Sequence, residues 1–234
     1  MHYGDRLTDR LHVNRIRPKL ADISRKLSAP YMSRRTPLRN QTFSAWGKPL
    51  PYFIHRYNDT WLNERCVEIA IAQEFLRTNQ GRGLEFGHVL SHYGISGNRE
   101  IVDKYERDKL VTNIDIMDYN PAFSFDYIIA ISTIEHVGWD EPHRDPEKAN
   151  SAFHHLRSML GPEGRMLITA PLGYNPVLDS AVVQGKWKAD REACFIRDGR
   201  SGWHQETPVR VIPWELGDVW PPAIWVGEFG RSSF

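Results

Sequence analysis

Several polar side chains stand where apolar runs end, and their order along the chain describes a nucleoside pocket. Glu85 and Gly87 close the run that begins at Gly83-Leu84, and Asp103 follows Ile101-Val102. Asp115-Ile116 closes Val111 to Ile116, and Ser132 follows Phe125 to Ile131. An acid about 20 residues beyond a first glycine turn is placed to accept hydrogen bonds from ribose hydroxyls. Asp103, 18 residues after Glu85, has that place. Asp115 suits the exocyclic amine of adenine, and the backbone N–H of Ile116 suits a ring nitrogen. Taken singly, each acid is equally a turn residue at a strand end. The turn itself, Gly87-His88-Val89-Leu90-Ser91-His92-Tyr93-Gly94, holds neither G-x-G-x-x-G nor a P-loop. Both motifs bring backbone N–H groups to phosphates, so their absence disfavours NAD and ATP.

The elements that must position these residues alternate. Trp61, Leu62, Cys66, Ile69, Ala70 and Leu76 trace one face of a helix ending before Gly81. Strands are predicted at 83–87, 100–103, 111–116, 125–131 and 165–170, with two later candidates at 193–196 and 223–229. The near-continuous apolar run Phe125 to Ile131 suits a parallel strand covered on both faces. Asp145-Pro146-Glu147 reads as a helix start, and Gly161-Pro162 as its stop. Such alternation implies a mostly parallel, doubly wound α/β sheet with helices on both faces, whose ligands bind beyond the carboxyl ends of the strands.

Composition sets the outer limits. The chain has 234 residues, 41% of them hydrophobic and 25% charged, which fits one ordinary domain with an extension. It holds no apolar run of membrane-spanning length. The first residues are polar and charged, unlike a secretory signal. Cys66 and Cys194 make neither a metal motif nor a disulfide framework, so a cytoplasmic setting is expected. The net charge of +1 hides an asymmetry: residues 1–60 carry 12 Lys+Arg against 4 Asp+Glu, the rest 18 against 25. Residues 1–60 therefore read as a basic N-terminal extension and 61–234 as the main domain. Scattered apolar residues over 1–30 suit an amphipathic helix interrupted at Pro18, and 30–60 reads as irregular, pinned to the body by Trp46, Tyr52, Phe53 and Tyr57. Most of the eight tryptophans are expected in the core, with Trp139, Trp187 and Trp203 as the alternative for a stacking surface.

Leu84-Glu85-Phe86-Gly87, Asp103, Asp115-Ile116, Phe125-Asp126, Ser132-Thr133-Ile134-Glu135-His136-Val137 and Leu160-Gly161-Pro162-Glu163-Gly164-Arg165 together resemble a class I S-adenosylmethionine-dependent methyltransferase. The resemblance covers about residues 61–171. It implies a Rossmann-like, seven-stranded sheet with a C-terminal antiparallel hairpin, and S-adenosyl-L-methionine as cofactor. It also assigns Glu85, Phe86, Gly87, His88, Asp103, Lys104, Asp115, Ile116 and Ser132 to cofactor binding. The chain departs from the family's E-x-G-x-G-x-G loop, of which only Gly87 remains. Methyl transfer to a hydroxyl needs alignment and a base, for which His is suited at neutral pH. His136, after the fourth strand, ranks first; His143 and His204, in loops able to cover the site, follow. Metal binding is not expected: His88 and His92 are spaced i, i+4, but no third ligand stands nearby in the sequence. The expected acceptor is a small molecule such as a sugar or secondary metabolite. Nucleic acid is disfavoured, since (N/D)-P-P-(Y/F/W) does not follow the fourth strand. A non-catalytic partner subunit is the remaining alternative. The basic extension is expected to cap the acceptor side or to join two copies as a homodimer.

Overall fold

The structure is a computed structural model and describes residues 32–199, 202–207, 209–212 and 220–231. The helix read over residues 1–30 lies outside the described residues. A hairpin of β1 (Thr42–Ala45) and β2 (Lys48–Pro51) comes first, then α1 (Arg65–Thr78). The main sheet is built from β3 (Gly83–Phe86), β4 (Arg99–Val102), β5 (Val111–Thr112), β6 (Phe125–Ile131), β7 (Leu160–Pro171), β8 (Arg191–Asp198), β9 (Gly202–Glu206) and β10 (Ala223–Gly230). Helices α2 (Lys148–Ser158) and α3 (Pro176–Val183) flank β7 in the chain.

The strand order is β5-β4-β3-β6-β7-β10-β8-β9. The first five of these are mutually parallel, while β10 runs antiparallel between β7 and β8. The chain starts in the middle at β3, winds out to β5, then returns past β3 to β6 and β7. The direction of winding therefore reverses between β3 and β6, and the carboxyl ends of those strands border the crevice of a doubly wound sheet.

Both faces of this sheet are covered. On one, Phe153 of α2 stacks flat on Trp187 with ring centres 4.3 Å apart, beside Trp225 and Phe229 of β10. On the other, Ile69, Ala72 and Phe75 of α1 pack with Ile129, Ile131 and Leu167. Burial on two sides explains why all but one residue of β6 are buried.

Seven strands of the main sheet coincide with the expected ones, and β9 is an eighth. It pairs with β8 at the sheet edge, in a stretch where the sequence predicts no strand. Residues 30–60 are less irregular than expected. Phe43 of β1 meets Phe195 of β8 edge-on at 5.8 Å, and the Tyr52 hydroxyl accepts from the Trp203 N–H at 2.9 Å. The expected pinning by Trp46, Tyr52 and their neighbours is achieved by a hairpin. α2 begins at Lys148, not at Pro146; a turn precedes it, in which the Asp145 carboxylate accepts from Glu147 N at 3.1 Å. Trp187 and Trp203 are buried in the two cores, which removes them from any stacking surface. Among the described residues, no helix is long and apolar enough to cross a membrane.

Candidate active site

A cleft of about 420 Å³ opens over the carboxyl ends of β3, β4 and β6. Its walls are Phe86 to Val89, Asp103 to Glu106, Asp115-Ile116, Ser132-Thr133, His136-Val137 and Asp140-Glu141. Four strand ends that the sequence places apart thus face one hollow.

The loop after β3 turns on Gly87, whose φ is +88°. A Cβ there would stand 2.2 Å from Thr133 Oγ1, so both the backbone angle and the space exclude any larger residue. Glu85 is buried and does not line the cleft. One of its oxygens accepts from Val89 N at 2.8 Å and Leu90 N at 2.7 Å, and the other takes Arg99 Nε at 2.5 Å. Its work is to hold the loop that carries the lining residues. A short 3-10 turn, Leu90–Tyr93, follows and ends at Gly94 in the left-handed conformation.

Asp103 lines the cleft and orders its own loop. Oδ1 accepts from Tyr105 N and Glu106 N, each at 2.8 Å, and Oδ2 accepts from His88 N at 3.3 Å. Asp115 caps the turn at Ile116–Asp118 through Met117 N. Its Oδ2 also meets Lys104 Nζ at 2.9 Å and Lys148 Nζ at 2.6 Å. Burial alone would raise its pKa, but the two ammonium groups outweigh that and hold it at about 2. Both lysines also reach Glu141, forming a four-membered charge network on the wall of the cleft. Ser132 has φ +40°, a strained value for a residue with a Cβ. It is held there because its hydroxyl donates to the buried Glu68 at 2.5 Å while its N–H donates to Thr169 O at 3.0 Å.

His136 sits in the turn Ile134–His136, half-exposed on the cleft wall. Its Nδ1 stands 2.5 Å from Asp140 Oδ2, and its Nε2 stands 3.5 Å from Glu135 Oε1. The Tyr174 hydroxyl donates to the same Asp140 oxygen at 2.6 Å. Burial disfavours the imidazolium, yet Glu135 and Asp140 together raise the His136 pKa above its ordinary 6.5. Burial pushes the Glu135 carboxyl up to about 7, partly offset by His136. An Asp–His pair of this kind fixes the tautomer and leaves Nε2 to accept a proton.

Of the sequence-predicted residues, Phe86, Gly87, His88, Asp103, Lys104, Asp115, Ile116, Ser132 and His136 come together around the cleft, while Glu85 lies behind it. His143 is exposed and does not line it. His204 sits on edge strand β9, engaged by Asp198 at 2.8 Å and Glu206 at 3.1 Å, outside the cleft. Asp140 and Glu106 escaped the sequence reading. The i, i+4 spacing from His136 was a signal for Asp140; Glu106 reaches its partners only through the pairing of β3 with β4.

No protein-family model matches the chain, and no curated protein matches it. Among solved structures it is similar to the N-methyltransferase NodS from Bradyrhizobium japonicum WM9 in complex with S-adenosyl-L-homocysteine. The identity is 12%, over 73% of this chain and 88% of that one, with a TM-score of 0.49. It is also similar to the DhpI–SAM–HEP complex, at 13% identity over 74% and 90% of the two chains with a TM-score of 0.39. A third is an S-adenosylmethionine-dependent methyltransferase from Clostridium acetobutylicum ATCC 824, at 11% identity over 68% and 89% with a TM-score of 0.37. In its own strand order, with a parallel half wound both ways from β3 and an antiparallel close at β10 and β8, the chain has a Rossmann-like, doubly wound fold.

Proposed function

We propose that this protein transfers the methyl group of S-adenosyl-L-methionine to a hydroxyl of a small molecule, with His136 as general base. The observation that carries the reading is the convergence of four strand ends, at Phe86–His88, Asp103–Lys104, Asp115–Ile116 and Ser132–Thr133, on one cleft of nucleoside size. In this reading Asp103 takes the ribose hydroxyls and Asp115 with Ile116 faces the adenine. The first loop passes under the methionine part, and Ser132 closes the floor.

The sulfonium is an activated donor, so the protein has to align the acceptor in line with the methyl group and remove its proton. His136 takes that proton at Nε2 while Asp140, on Nδ1, stabilises the imidazolium that forms. Because both neighbouring carboxyls raise its pKa, turnover rises with pH through a value above 6.5 as the imidazole becomes neutral.

The test is calorimetric titration with S-adenosylhomocysteine, followed by methyl transfer to a panel of hydroxylated and amino acceptors. Binding of S-adenosylhomocysteine, transfer to a hydroxylated acceptor, and loss of turnover with intact binding in His136→Ala are expected. A folded protein that ignores S-adenosylhomocysteine would make the chain a non-catalytic module. Transfer at full strength in His136→Ala would move the base elsewhere.

A further inference from the structure

We propose that His88, His92 and Glu106 form a zinc site on the wall of the cleft, independent of the methyl-transfer reading above. The three residues come from two strands' loops. His88 follows β3, His92 lies in the 3-10 turn after it, and Glu106 follows β4. One carboxylate oxygen, Glu106 Oε1, stands 3.1 Å from His88 Nδ1 and 2.8 Å from His92 Nε2. One donor atom from each residue lies within 4.8 Å of the other two. Two ligands at about 2.0–2.1 Å from one tetrahedral cation stand roughly 3.3 Å apart, so an ion could replace the two hydrogen bonds to Glu106 Oε1 with movements of about half an ångström.

The surroundings fix the donors before any ion arrives. His88 is buried, and its backbone N–H donates to Asp103, which holds the residue that presents Nδ1 to Glu106. The His92 ring lies against Tyr57, ring centres 4.9 Å apart and nearly parallel. Glu106 is anchored through its backbone, its N–H on Asp103 and its C=O on Asn113. Aromatic packing and backbone anchoring of this sort orient ligands as an outer shell does.

Two imidazoles and one carboxylate form a borderline donor set. It suits zinc, and it is a poor match for magnesium or calcium, which prefer oxygen alone. Three protein ligands leave a further position for water or for a molecule in the cleft that His88 and Glu106 line. The ion would tie the loop after β3 to the loop after β4, across the place where the glycine-rich sequence of related loops is missing.

The experiment is titration of untagged, chelator-treated protein with Zn²⁺ and separately with Mg²⁺, with circular dichroism to check the fold. One zinc per chain is expected, bound far more tightly than magnesium. His92→Ala and Glu106→Gln should each weaken zinc more than about tenfold, while His154→Ala, on the exposed face of α2, should change nothing. Glu106→Gln alters only a half-exposed side chain, so it keeps the test valid if His92→Ala misfolds. Zinc bound no more tightly than magnesium, or bound equally by the parent and Glu106→Gln, overturns the site. A loss in His154→Ala equal to that in Glu106→Gln would do the same. None of these outcomes depends on S-adenosylhomocysteine binding, so failure here is distinct from failure of the methyl-transfer reading.

Discussion

Replacing Asp103 by Asn separates the acid's structural work from its proposed ribose contact. A carboxylate oxygen has two lone pairs. Oδ1 spends both on Tyr105 N and Glu106 N. Oδ2 spends one, on a long 3.3 Å contact with His88 N, and keeps the other. The ribose is therefore offered about one hydrogen bond to a charged acceptor. Such bonds contribute roughly 1.5–3 kcal/mol, and partial exposure to solvent places this one near about 2 kcal/mol. Asn preserves Oδ1 but turns an NH₂ toward His88 N, costing about 1 kcal/mol of stability. The expected outcome is a Kd for S-adenosylhomocysteine raised roughly thirtyfold by calorimetry. The melting temperature should fall by only about 2–4 °C. A Kd within threefold of the parent, in a folded variant, would refute the placement of the ribose at Asp103.

The remaining expectations concern protons. Asp140→Asn should lower the His136 pKa, read from the imidazole signals in an NMR titration; a pKa that stays or rises would show that Asp140 does not support the imidazolium. Glu135 titrates at about 7 in the fold against an ordinary 4.5. Between those values the folded state keeps a proton that the unfolded chain has released, so stability falls as pH rises through the window, by about 2 kcal/mol. Glu135→Gln stays neutral and should flatten that slope in urea unfolding at pH 5 and pH 7; equal slopes in both proteins would place the proton elsewhere.

Much of this architecture is legible in the residues, for physical reasons that differ by element. A parallel strand covered on both faces must be apolar throughout, so Phe125 to Ile131 announces itself. The strand ends carry acids because the crevice is polar, and Asp103 and Asp115 could be placed from spacing alone. The edge strand β9 was hidden because a strand with one neighbour needs no continuous apolar run, and Gly202–Glu206 has Trp203 as its one buried residue. The charge network at Asp115 was hidden for another reason: Lys104, Glu141 and Lys148 are separated by up to 44 positions and meet only after folding. The hold on the loop after β3 was hidden as well: Glu85 captures the N–H groups of Val89 and Leu90 from below and fixes their direction.

That capture decides which cofactors the loop can accept. A phosphate-binding turn leaves successive backbone N–H groups free to point at an anion. Here the N–H groups of His88, Val89 and Leu90 are committed to Asp103 and Glu85. A pyrophosphate would have to displace those bonds and approach two carboxylates, one of them buried against Arg99. A cationic sulfonium with no phosphate meets neither obstacle, and the negative walls favour it. NAD and ATP at millimolar concentration should therefore leave the melting temperature unchanged where S-adenosylhomocysteine raises it. A rise with NAD as large as with S-adenosylhomocysteine would mean that the loop reopens its N–H groups, and that Glu85 does not govern the choice of ligand.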